Sequence, residues 1–336
     1  MRKKNKVPRI LAVIPARGGS KGIPRKNMRL MNDKPLISYA IDNAISSSYI
    51  DHVVVTSDSE EILSFAKQCG VMTLDRSSEL AHDAVTLDPV IFDAVLRTEM
   101  ITGIHFDYVV TLQPTSPLLT APVLDEALAK MLDSDLDSLI SVVNSPHLSW
   151  KKDSDGKIIP AYSSRLNRQQ LPPSYQETGA FLISKRDVVS ERSRLGSRTG
   201  VFEMPEDQAT DIDTKQDWVV CETMLSRKRV AFRVDGHKML GLGHIYRCLT
   251  LAYALIEHDV QFICNTKYPL GTEILRNANM PVVEVANDDE LCAFLEENKT
   301  DVFVNDLLDT KREYVESIKK RVKRFVSLED LSLIHI

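Results

Sequence analysis

The chain has 336 residues, of which 43% are hydrophobic and 26% are charged, and its formal net charge is −5. This length suggests about two domains of an ordinary globular protein, and the negative balance argues against a broad nucleic-acid surface. The five cysteines are scattered and form no C-x-x-C pair, which favours a reduced, cytoplasmic protein over a disulfide framework or a zinc site. No apolar stretch approaches the length of a membrane span, so no membrane contact is expected.

The first informative segment is "ILAVIPARGGSKGIPRKN", residues 10 to 27. Its leading apolar residues predict a buried strand, which Pro15 ends before a turn rich in glycine and basic side chains. Gly18, Gly19 and Gly22 have no Cβ, so the backbone can turn sharply and press its N–H groups against a bulky anion. Ligands bind at the carboxyl ends of strands in open α/β sheets, so this turn predicts a polyphosphate site. Its spacing is neither that of a P-loop nor that of a dinucleotide fingerprint, and the alternative is a solvated basic turn.

Strands and helices alternate after this turn. In chain order the segments are "KPLISYAIDNAIS", "HVVVTSD", "VMTL", "LDPVIFDAVLRTEMI", "YVVTLQP", "SPLLTAPVLDEALAKML", "SLISVV" and "GAFLIS". Asp58 and Glu61 have the spacing of a capping box at the start of a helix, and Thr120 and Pro122 mark the start of another. This βαβ rhythm predicts a three-layer, Rossmann-like α/β domain with a mostly parallel sheet over residues 8–225.

Polar clusters lie where loops follow the predicted strands. "LQPTSP" offers the amide of Gln113 and the hydroxyls of Thr115 and Ser116 on a loop that two prolines stiffen. The alternative for this segment is a proline-rich turn that caps the next helix. "ELAHDAVT" ends at Thr86, and "RQQLP" begins at Arg168. These segments predict a hydrogen-bonding rim around a ligand.

The segment "DIDT" carries two carboxylates on either side of Ile212. In a strand, Asp211 and Asp213 would point to the same face. Mg²⁺ is commonly bound by one or two carboxylates together with phosphate oxygens, so this pair fits a metal–nucleotide site. The alternative is an acidic strand end that faces solvent.

Six of these motifs occur in the order found in one enzyme family. "IPARGGSKGIPRKN", "TSD", "ELAHDAVT", "LQPTSPL", "RQQLP" and "DIDT" make residues 8 to 224 resemble the CMP-sialic acid synthetases (acylneuraminate cytidylyltransferases). The resemblance implies transfer of CMP from CTP to the anomeric hydroxyl of a nonulosonic acid, which is an acidic nine-carbon sugar, with release of pyrophosphate. It also implies Mg²⁺ as cofactor and a homodimer in which residues 144–168 reach the sugar site of the partner subunit.

The same resemblance implies roles for individual side chains. CTP would be held by Arg17, Ser20, Lys21, Lys26 and Asn27. The nucleotide and sugar pocket would be lined by Thr86, Gln113, Thr115 and Ser116. The acidic sugar would be approached by Lys151 and Arg168, and Mg²⁺ would be bound by Asp211 and Asp213. The catalytic contribution is expected from Arg17, Lys21, Gln113 and Asp211, because an in-line attack on phosphorus needs positioning and charge neutralisation.

Two departures from the family pattern fall near the acceptor. Leu119 stands where many relatives carry arginine, and "QETGA", residues 176–180, replaces the usual Arg-x-Asn-Gly-Ala. The acceptor therefore stays open between sialic, legionaminic and pseudaminic acid, with the eight-carbon Kdo sugar as a further alternative.

The rhythm of strands and helices restarts after "SRKR", residues 226–229, which we interpret as a linker. Residues 230–336 then predict a second, partial Rossmann-like domain. "FRVDGHKMLGLGHIYRCLTLAYAL" resembles the start of the nucleotide-sugar hydrolases of the pseudaminic acid pathway, which are glycosyltransferase-B-like. Gly243 and His244 lie at the start of its predicted helix, and the resemblance implies that His244 activates water to cleave a UDP-linked sugar.

Hydrolases of that kind use a second lobe, and we expect this chain to stop at about the end of the first lobe and to show no hydrolase turnover. We also expect "LSLIHI", residues 331–336, to be an assembly artefact rather than native sequence. Two other functions compete with the transferase: a UDP-sugar hydrolase whose transferase half is inactive, and a non-catalytic nucleotide-binding protein.

Overall fold

The computed structural model divides the chain into two compact units, Met1–Leu225 and Ser226–Ile336, which we call unit 1 and unit 2. It describes residues 7–20, 22–82, 84–236 and 241–328. The predictions for Lys21 and for residues 331–336 lie outside these described residues.

Unit 1 is built around a seven-stranded sheet with the strand order β11-β7-β10-β6-β1-β4-β5. The strands of unit 1 are β1 (Ile10–Pro15), β2 (Leu30–Met31), β3 (Lys34–Pro35), β4 (His52–Ser57), β5 (Met72–Asp75), β6 (Tyr108–Leu112), β7 (Ser138–Asn144), β8 (Trp150–Lys152), β9 (Ile158–Pro160), β10 (Tyr175–Lys185) and β11 (Thr199–Glu203). Its helices are α1 (Leu36–Ser46), α2 (Glu60–Gln68), α3 (Leu87–Thr102), α4 (Ala121–Leu132) and α5 (Lys215–Ser226). Strands β2 and β3 pair with each other, as do β8 and β9.

The central strand β1 is apolar throughout because helices cover both faces of the sheet. Ile10, Ala12 and Ile14 belong to the core cluster on one face, whereas Leu11 and Val13 belong to the cluster on the other. A strand buried on both faces needs a continuous hydrophobic run, which is the signature of β1 in the sequence. The predicted three-layer α/β architecture is confirmed.

The direction of the strands places the carboxyl ends of β1 and β6 side by side. Strand β1 pairs in parallel with β4 on one side and with β6 on the other, and β4 pairs in parallel with β5. The chain therefore runs outward from β1 to β5 and then returns to β6. This reversal makes the space above β1 and β6 the switch point of the sheet, where ligands bind in open α/β folds.

The mostly parallel sheet of unit 1 includes an antiparallel strand, and one local prediction differs from the structure. Strand β10 is antiparallel to both β6 and β7, and its pairing shifts register between Glu177 and Leu182. The capping box at Asp58 is wrong, because α2 begins at Glu60 with Ser59 at its N-cap. The Asp58 carboxylate accepts a hydrogen bond from the N–H of Gly18 at 2.8 Å instead. A tertiary contact thus replaces the local cap that the spacing indicated.

Unit 2 has a five-stranded sheet with the order β14-β13-β12-β15-β16, in which all neighbouring strands are parallel. Its strands are β12 (Arg229–Val234), β13 (Asp259–Asn265), β14 (Val282–Val285), β15 (Val302–Asp306) and β16 (Arg324–Ser327). Its helices are α6 (Gly243–Ala254), α7 (Pro269–Asn277), α8 (Asp288–Glu297) and α9 (Arg312–Lys319). Across the part of the chain that the structure describes, no helix combines the length and the apolar composition that a bilayer crossing demands.

Candidate functional site

A cleft opens in unit 1 above the carboxyl ends of β1 and β6. It is lined by Pro15, Arg17, Gly19, Ser20, Lys26, Asn27, Arg76, Leu87, Gln113, Pro114, Thr115, Asp211 and Asp213. The structure therefore brings the basic glycine turn, the "LQPTSP" loop and the two aspartates together at the switch point.

The "DIDT" segment is held in place through the backbone of Ile212. The N–H of Ile212 donates to the carbonyl oxygen of Thr115 at 2.9 Å, and its own carbonyl accepts from Lys26 Nζ at 2.6 Å. The side chain of Ile212 is fully buried in a cluster with Leu36 and Trp218. These contacts fix the backbone between the two carboxylates.

The strand in which Asp211 and Asp213 would share a face is not formed. Residues 211–213 form a loop before α5 and pair with no strand, because Thr115 and Lys26 take the backbone groups that a ladder would use. Asp211 and Asp213 nevertheless both line the cleft. The Ile212 side chain points into the core, so the side chains of Asp211 and Asp213 on either side of it face the cleft without a strand.

The glycines of the turn allow close packing rather than unusual backbone angles. A Cβ on Gly22 would lie 2.7 Å from the carbonyl oxygen of Asp213, and a Cβ on Gly18 would lie 2.9 Å from Cβ of Ser59. Among the described residues of the turn, Arg25 has the left-handed conformation, with φ 54°. The glycine N–H groups were expected to face a bulky anionic ligand. This is wrong for Gly18, because its N–H donates to the side-chain carboxylate of Asp58.

We expect Gly22→Ala to destabilise unit 1 by about 1–3 kcal/mol, because the new methyl group would push the Asp213 backbone out of place. Gly19→Ala is the matched control, since a Cβ there meets nothing within 4 Å. The control should be neutral or slightly stabilising, as the unfolded chain loses freedom. Chemical unfolding followed by tryptophan fluorescence measures both, since Trp150 and Trp218 lie in unit 1. Equal stability of the two variants would contradict the contact.

The charges of the cleft are coupled and partly desolvated. Burial lowers the pKa of Lys26, although the nearby charges of Asp213 and Asp211 oppose the shift. Lys26 Nζ lies 3.9 Å from Oδ1 of Asp213, whose side chain is 81% exposed. Burial raises the pKa of Asp211, and the charge of Asp213 adds to that rise, while a hydrogen bond from the Thr115 hydroxyl opposes it.

Asp211 has the properties of a cation ligand. Its Oδ1 is buried and has no hydrogen-bond partner among the described residues. Gly179, at φ +69°, lies beneath it, and a Cβ there would come within 2.9 Å of Asp211 Oδ2 and 3.3 Å of Gln113 Nε2. In the described residues, no group of three or more His, Cys, Asp or Glu side chains could enclose a metal ion. A cation bound by Asp211 and Asp213 would therefore take further oxygen ligands from a substrate, which is how Mg²⁺ is commonly held.

Sequence reasoning missed Arg76, which also lines the cleft. Its side chain is buried, its Nη2 donates to the carbonyl oxygen of Thr56 at 2.7 Å, and its Nε has no hydrogen-bond partner in the described part of the chain. Burial lowers the pKa of Arg76, whereas the charge of Asp58 raises it. The signal was available, because Arg76 directly follows β5, whose carboxyl end lies on the same edge of the sheet as that of β1.

Other candidate residues lie outside this lining. Thr86 is exposed at the N-cap of α3, next to the cleft residue Leu87. Ser116 is buried, and its hydroxyl finds no partner in the residues described. Lys151 in β8 and Arg168 in a short 3-10 turn are both exposed.

The position that departs from the family pattern at Leu119 is buried in the core of unit 1. Its carbonyl oxygen accepts a hydrogen bond from Asn43 Nδ2 at 2.6 Å. The Leu119 side chain is therefore not a cleft residue in this chain.

One of the two candidates of unit 2, His244, lines a cleft within that unit. Gly243 is the first residue of α6, and the ring of the next residue, His244, contacts Oδ1 of Asp306 through Nδ1 at 2.8 Å. The lining consists of Asp235, His244, Tyr268, Asp306, Leu307, Leu308 and Asp309.

Comparison with known proteins gives a consistent result for unit 1. Residues 11–204 match the family model described as cytidylyltransferase. Post-translational flagellin modification protein B of Campylobacter coli is 34% identical over 227 residues, which cover 66% of this chain and 97% of that protein. CMP-N,N'-diacetyllegionaminic acid synthase of Campylobacter jejuni is 32% identical over 228 residues, covering 66% and 97%. N-acylneuraminate cytidylyltransferase of Oncorhynchus mykiss is 30% identical over 293 residues, covering 84% of this chain and 66% of that protein.

Proposed function

Because the chain belongs to the cytidylyltransferase family, and is therefore a nucleotidyltransferase, we propose that unit 1 transfers CMP from CTP to the anomeric hydroxyl of a nonulosonic acid and releases pyrophosphate. One observation carries the proposal. The basic turn of residues 17–27 and the carboxylates of Asp211 and Asp213 line the same cleft at the switch point of the sheet. A triphosphate and a divalent cation need these two kinds of group at one place.

The mechanism requires that the acceptor hydroxyl attack the α-phosphorus of CTP in line with the departing pyrophosphate. Arg17 and Lys26 are suited to offset the charge of the triphosphate, and Gln113 and Thr115 to orient the substrates through hydrogen bonds. Asp211 and Asp213 would hold Mg²⁺, which stabilises negative charge on the phosphoryl group and on the leaving pyrophosphate. Arg76 would give the nucleotide a desolvated cation whose Nε is free to donate.

The test is release of pyrophosphate from CTP with a panel of acceptors: sialic, legionaminic, pseudaminic and Kdo acids. We expect release that depends on both CTP and one nine-carbon acid, and that falls to background when EDTA removes divalent cations. Restored Mg²⁺ should restore the rate, because the cleft offers only oxygen ligands for a cation. Heat-denatured protein is the control for non-enzymatic release.

The rival functions give different results in the same assay. CTP binding without pyrophosphate release on any acceptor would favour a non-catalytic nucleotide-binding protein and overturn the transferase. Activity on Kdo alone would retain the chemistry and correct the acceptor. A UDP-sugar hydrolase whose transferase half is inactive would likewise release no pyrophosphate from CTP, but it would cleave a UDP-sugar.

We also propose that unit 1 forms a homodimer through residues 144–168. This region exposes apolar side chains: Trp150 is 60% exposed and Ile158 is 55% exposed, on the paired strands β8 and β9. Lys151 and Arg168 do not line the cleft of their own chain, which supports a role at the sugar site of a partner subunit. CTP as substrate and the five free cysteines are compatible with a cytoplasmic enzyme.

The dimer is tested by sedimentation velocity, in which the chain of 37.8 kDa should sediment as a species of twice that mass. Trp150→Glu should shift it toward the monomer, because a charge would then have to be buried at the interface. Met100→Glu is the matched control, since Met100 is 83% exposed on α3, away from β8 and β9 in the chain. A wild-type monomer, or an equal shift in both variants, would contradict the proposed interface.

Unit 2 supports a second candidate function, that of a nucleotide-sugar hydrolase. The observation that favours it is the contact between His244 and the buried Asp306 inside a cleft, because a histidine oriented by a carboxylate is a common general base. UDP-sugar cleavage by the purified protein measures this function, and the lack of cleavage of any UDP-linked sugar would contradict it.

A further inference from the structure

The cleft of unit 2 lies at the switch point of its own sheet. From β12 the chain runs outward through β13 to β14, and it then returns to β15 on the other side of β12. Asp235 directly follows β12, and Asp306 is the last residue of β15. The carboxyl ends of these two strands meet where parallel α/β sheets bind ligands. His244, near the start of α6, is therefore in a position to meet a ligand.

The carboxylate of Asp306 is the centre of a hydrogen-bonded cluster in this cleft. Its side chain is 0% exposed. Oδ1 contacts His244 Nδ1 at 2.8 Å and accepts from Arg247 Nη2, while Oδ2 accepts from Arg247 Nε at 3.0 Å and from Cys248 Sγ at 3.3 Å. Burial alone would raise the pKa of Asp306, but the hydrogen bonds from Arg247, His244 and Cys248 lower it below its usual range.

The ionised state of Asp306 decides which nitrogen of His244 carries the proton. A carboxylate ion has no proton to donate, so a hydrogen bond at 2.8 Å requires the hydrogen to lie on Nδ1 of the ring. Arg247 Nη2 lies 3.1 Å from the same nitrogen, but its closer acceptor is Oδ1 of Asp306. Nε2 is then the unprotonated nitrogen. It has no hydrogen-bond partner among the described residues. The hydrogen bond made by one ring nitrogen thus sets the chemistry of the other.

We propose that Asp306 is the positioning residue of this cleft, which fixes His244 as the Nδ1–H tautomer so that Nε2 accepts a proton from a water or hydroxyl group bound there. The proposal rests on the second function considered for unit 2 and names the residue through which its histidine would act. When Nε2 takes the proton, the positive charge on the ring is balanced by the adjacent carboxylate, and the oxygen keeps the electron pair of the broken O–H bond. Arg247 and Cys248 hold Asp306 in place for this role.

A purely structural alternative exists for the same contacts. Arg247 and Asp306 form an ion pair on their own, and His244 is mostly buried, with a side chain that is 11% exposed. If the cluster served only packing, the carboxylate would impose the same tautomer, but a nucleotide added to the protein would leave Nε2 unperturbed.

The experiment reads the tautomer directly in the full chain. Protein labelled with ¹⁵N-histidine is studied by long-range ¹H–¹⁵N correlation at about pH 8, where an ordinary histidine is neutral. His244→Gln identifies the signals of His244 by their loss. We expect the wild type to show a protonated Nδ1 and an unprotonated Nε2.

Asp306→Ala should exchange the two nitrogens. Without the carboxylate, Nη2 of Arg247, which lies 3.1 Å from His244 Nδ1, loses Oδ1 as its acceptor and donates to Nδ1 instead. The ring proton would then lie on Nε2. Asp289→Ala is the matched control, an exposed position at the start of α8, and should leave the spectrum of His244 unchanged.

Either of two results would overturn the proposal: a wild-type His244 with its proton on Nε2, or an Asp306→Ala protein that folds and keeps the proton on Nδ1. If the variant does not fold, the wild-type spectrum alone decides which ring nitrogen carries the proton. Addition of uridine diphosphate tests the underlying function separately. A shift of the Nε2 signal supports a nucleotide-sugar site, whereas no shift contradicts that function and leaves the tautomer assignment standing.

Discussion

Asp211→Asn is expected to lower the rate of CTP turnover by a factor of about 10²–10³ while making the metal-free protein more stable at neutral pH. The loss follows from removal of the buried negative charge that would hold the divalent cation. The gain follows because burial raises the pKa of Asp211, so the ionised side chain opposes folding when no cation is bound. Asparagine keeps the oxygen that accepts from Thr115 and carries no charge.

The sign of the pH effect can be stated for this group. The raised pKa means that the folded state holds the Asp211 proton more tightly than the unfolded chain does. The associated stability is complete below about pH 4, the ordinary range of aspartate, and is lost as the pH rises through the raised value. The difference in melting temperature between variant and wild type should therefore be small near pH 4 and grow toward pH 7.

Pyrophosphate release and thermal unfolding in EDTA are the two measurements for this substitution. Asp207→Asn is the matched control, because Asp207 is exposed in the same connection between β11 and α5. It should change neither quantity. A variant at position 211 that turns over CTP at the wild-type rate would remove this aspartate from the mechanism, and a fall in metal-free stability at neutral pH would contradict the electrostatic argument.

Ile212→Ala is expected to destabilise unit 1 by about 2–5 kcal/mol and to reduce CTP turnover as well. The side chain is fully buried against Leu36 and Trp218, so its truncation leaves a cavity in that cluster. The same residue separates the two carboxylates, and its backbone is held by Thr115 and Lys26. With the Ile212 side chain truncated, the backbone of residues 211–213 would be less well fixed, and both aspartates would move from the positions that a cation requires.

The conservative change Ile212→Val separates the effect on packing from the effect on chemistry. It should lower the free energy of unfolding by only about 0.5–1.5 kcal/mol and keep most of the CTP turnover. Chemical unfolding followed by tryptophan fluorescence reports the stability, because Trp218 belongs to the affected cluster. Pyrophosphate release under conditions where both variants are folded reports the turnover. Loss of stability in the alanine variant with unchanged turnover would show that the Ile212 side chain is not needed to position the aspartates.

The sequence predicted the family and the α/β class of the fold because both depend on local signals. A continuous apolar run such as β1 needs helices on both faces, and the glycine turn after it carries basic residues at fixed spacing. The family match over residues 11–204 confirms the resemblance that the ordered motifs indicated. Whether each candidate side chain contacts a substrate stays a prediction.

The local predictions that differ from the structure, and the cleft residue that was missed, share one cause: contacts between residues far apart in the chain. Asp58 looked like a helix cap because its spacing to Glu61 is local, but its carboxylate accepts from the Gly18 backbone 40 residues away. The "DIDT" segment looked like a strand, but its backbone groups are taken by Lys26 and Thr115. Arg76 belongs to no motif, and it reaches the cleft because β5 runs parallel to its neighbour β4.

The hydrogen bond between Lys26 and Ile212 joins residues 186 positions apart. A nascent chain emerging from the ribosome would therefore carry the glycine turn long before it can complete the nucleotide cleft. Synthesis must pass α5 before the carboxylates are anchored, so any affinity for a metal-bound nucleotide should arise late and abruptly during translation. A fragment cut at residue 204, where the family match ends, would lack both aspartates, and we expect it to show none of that affinity.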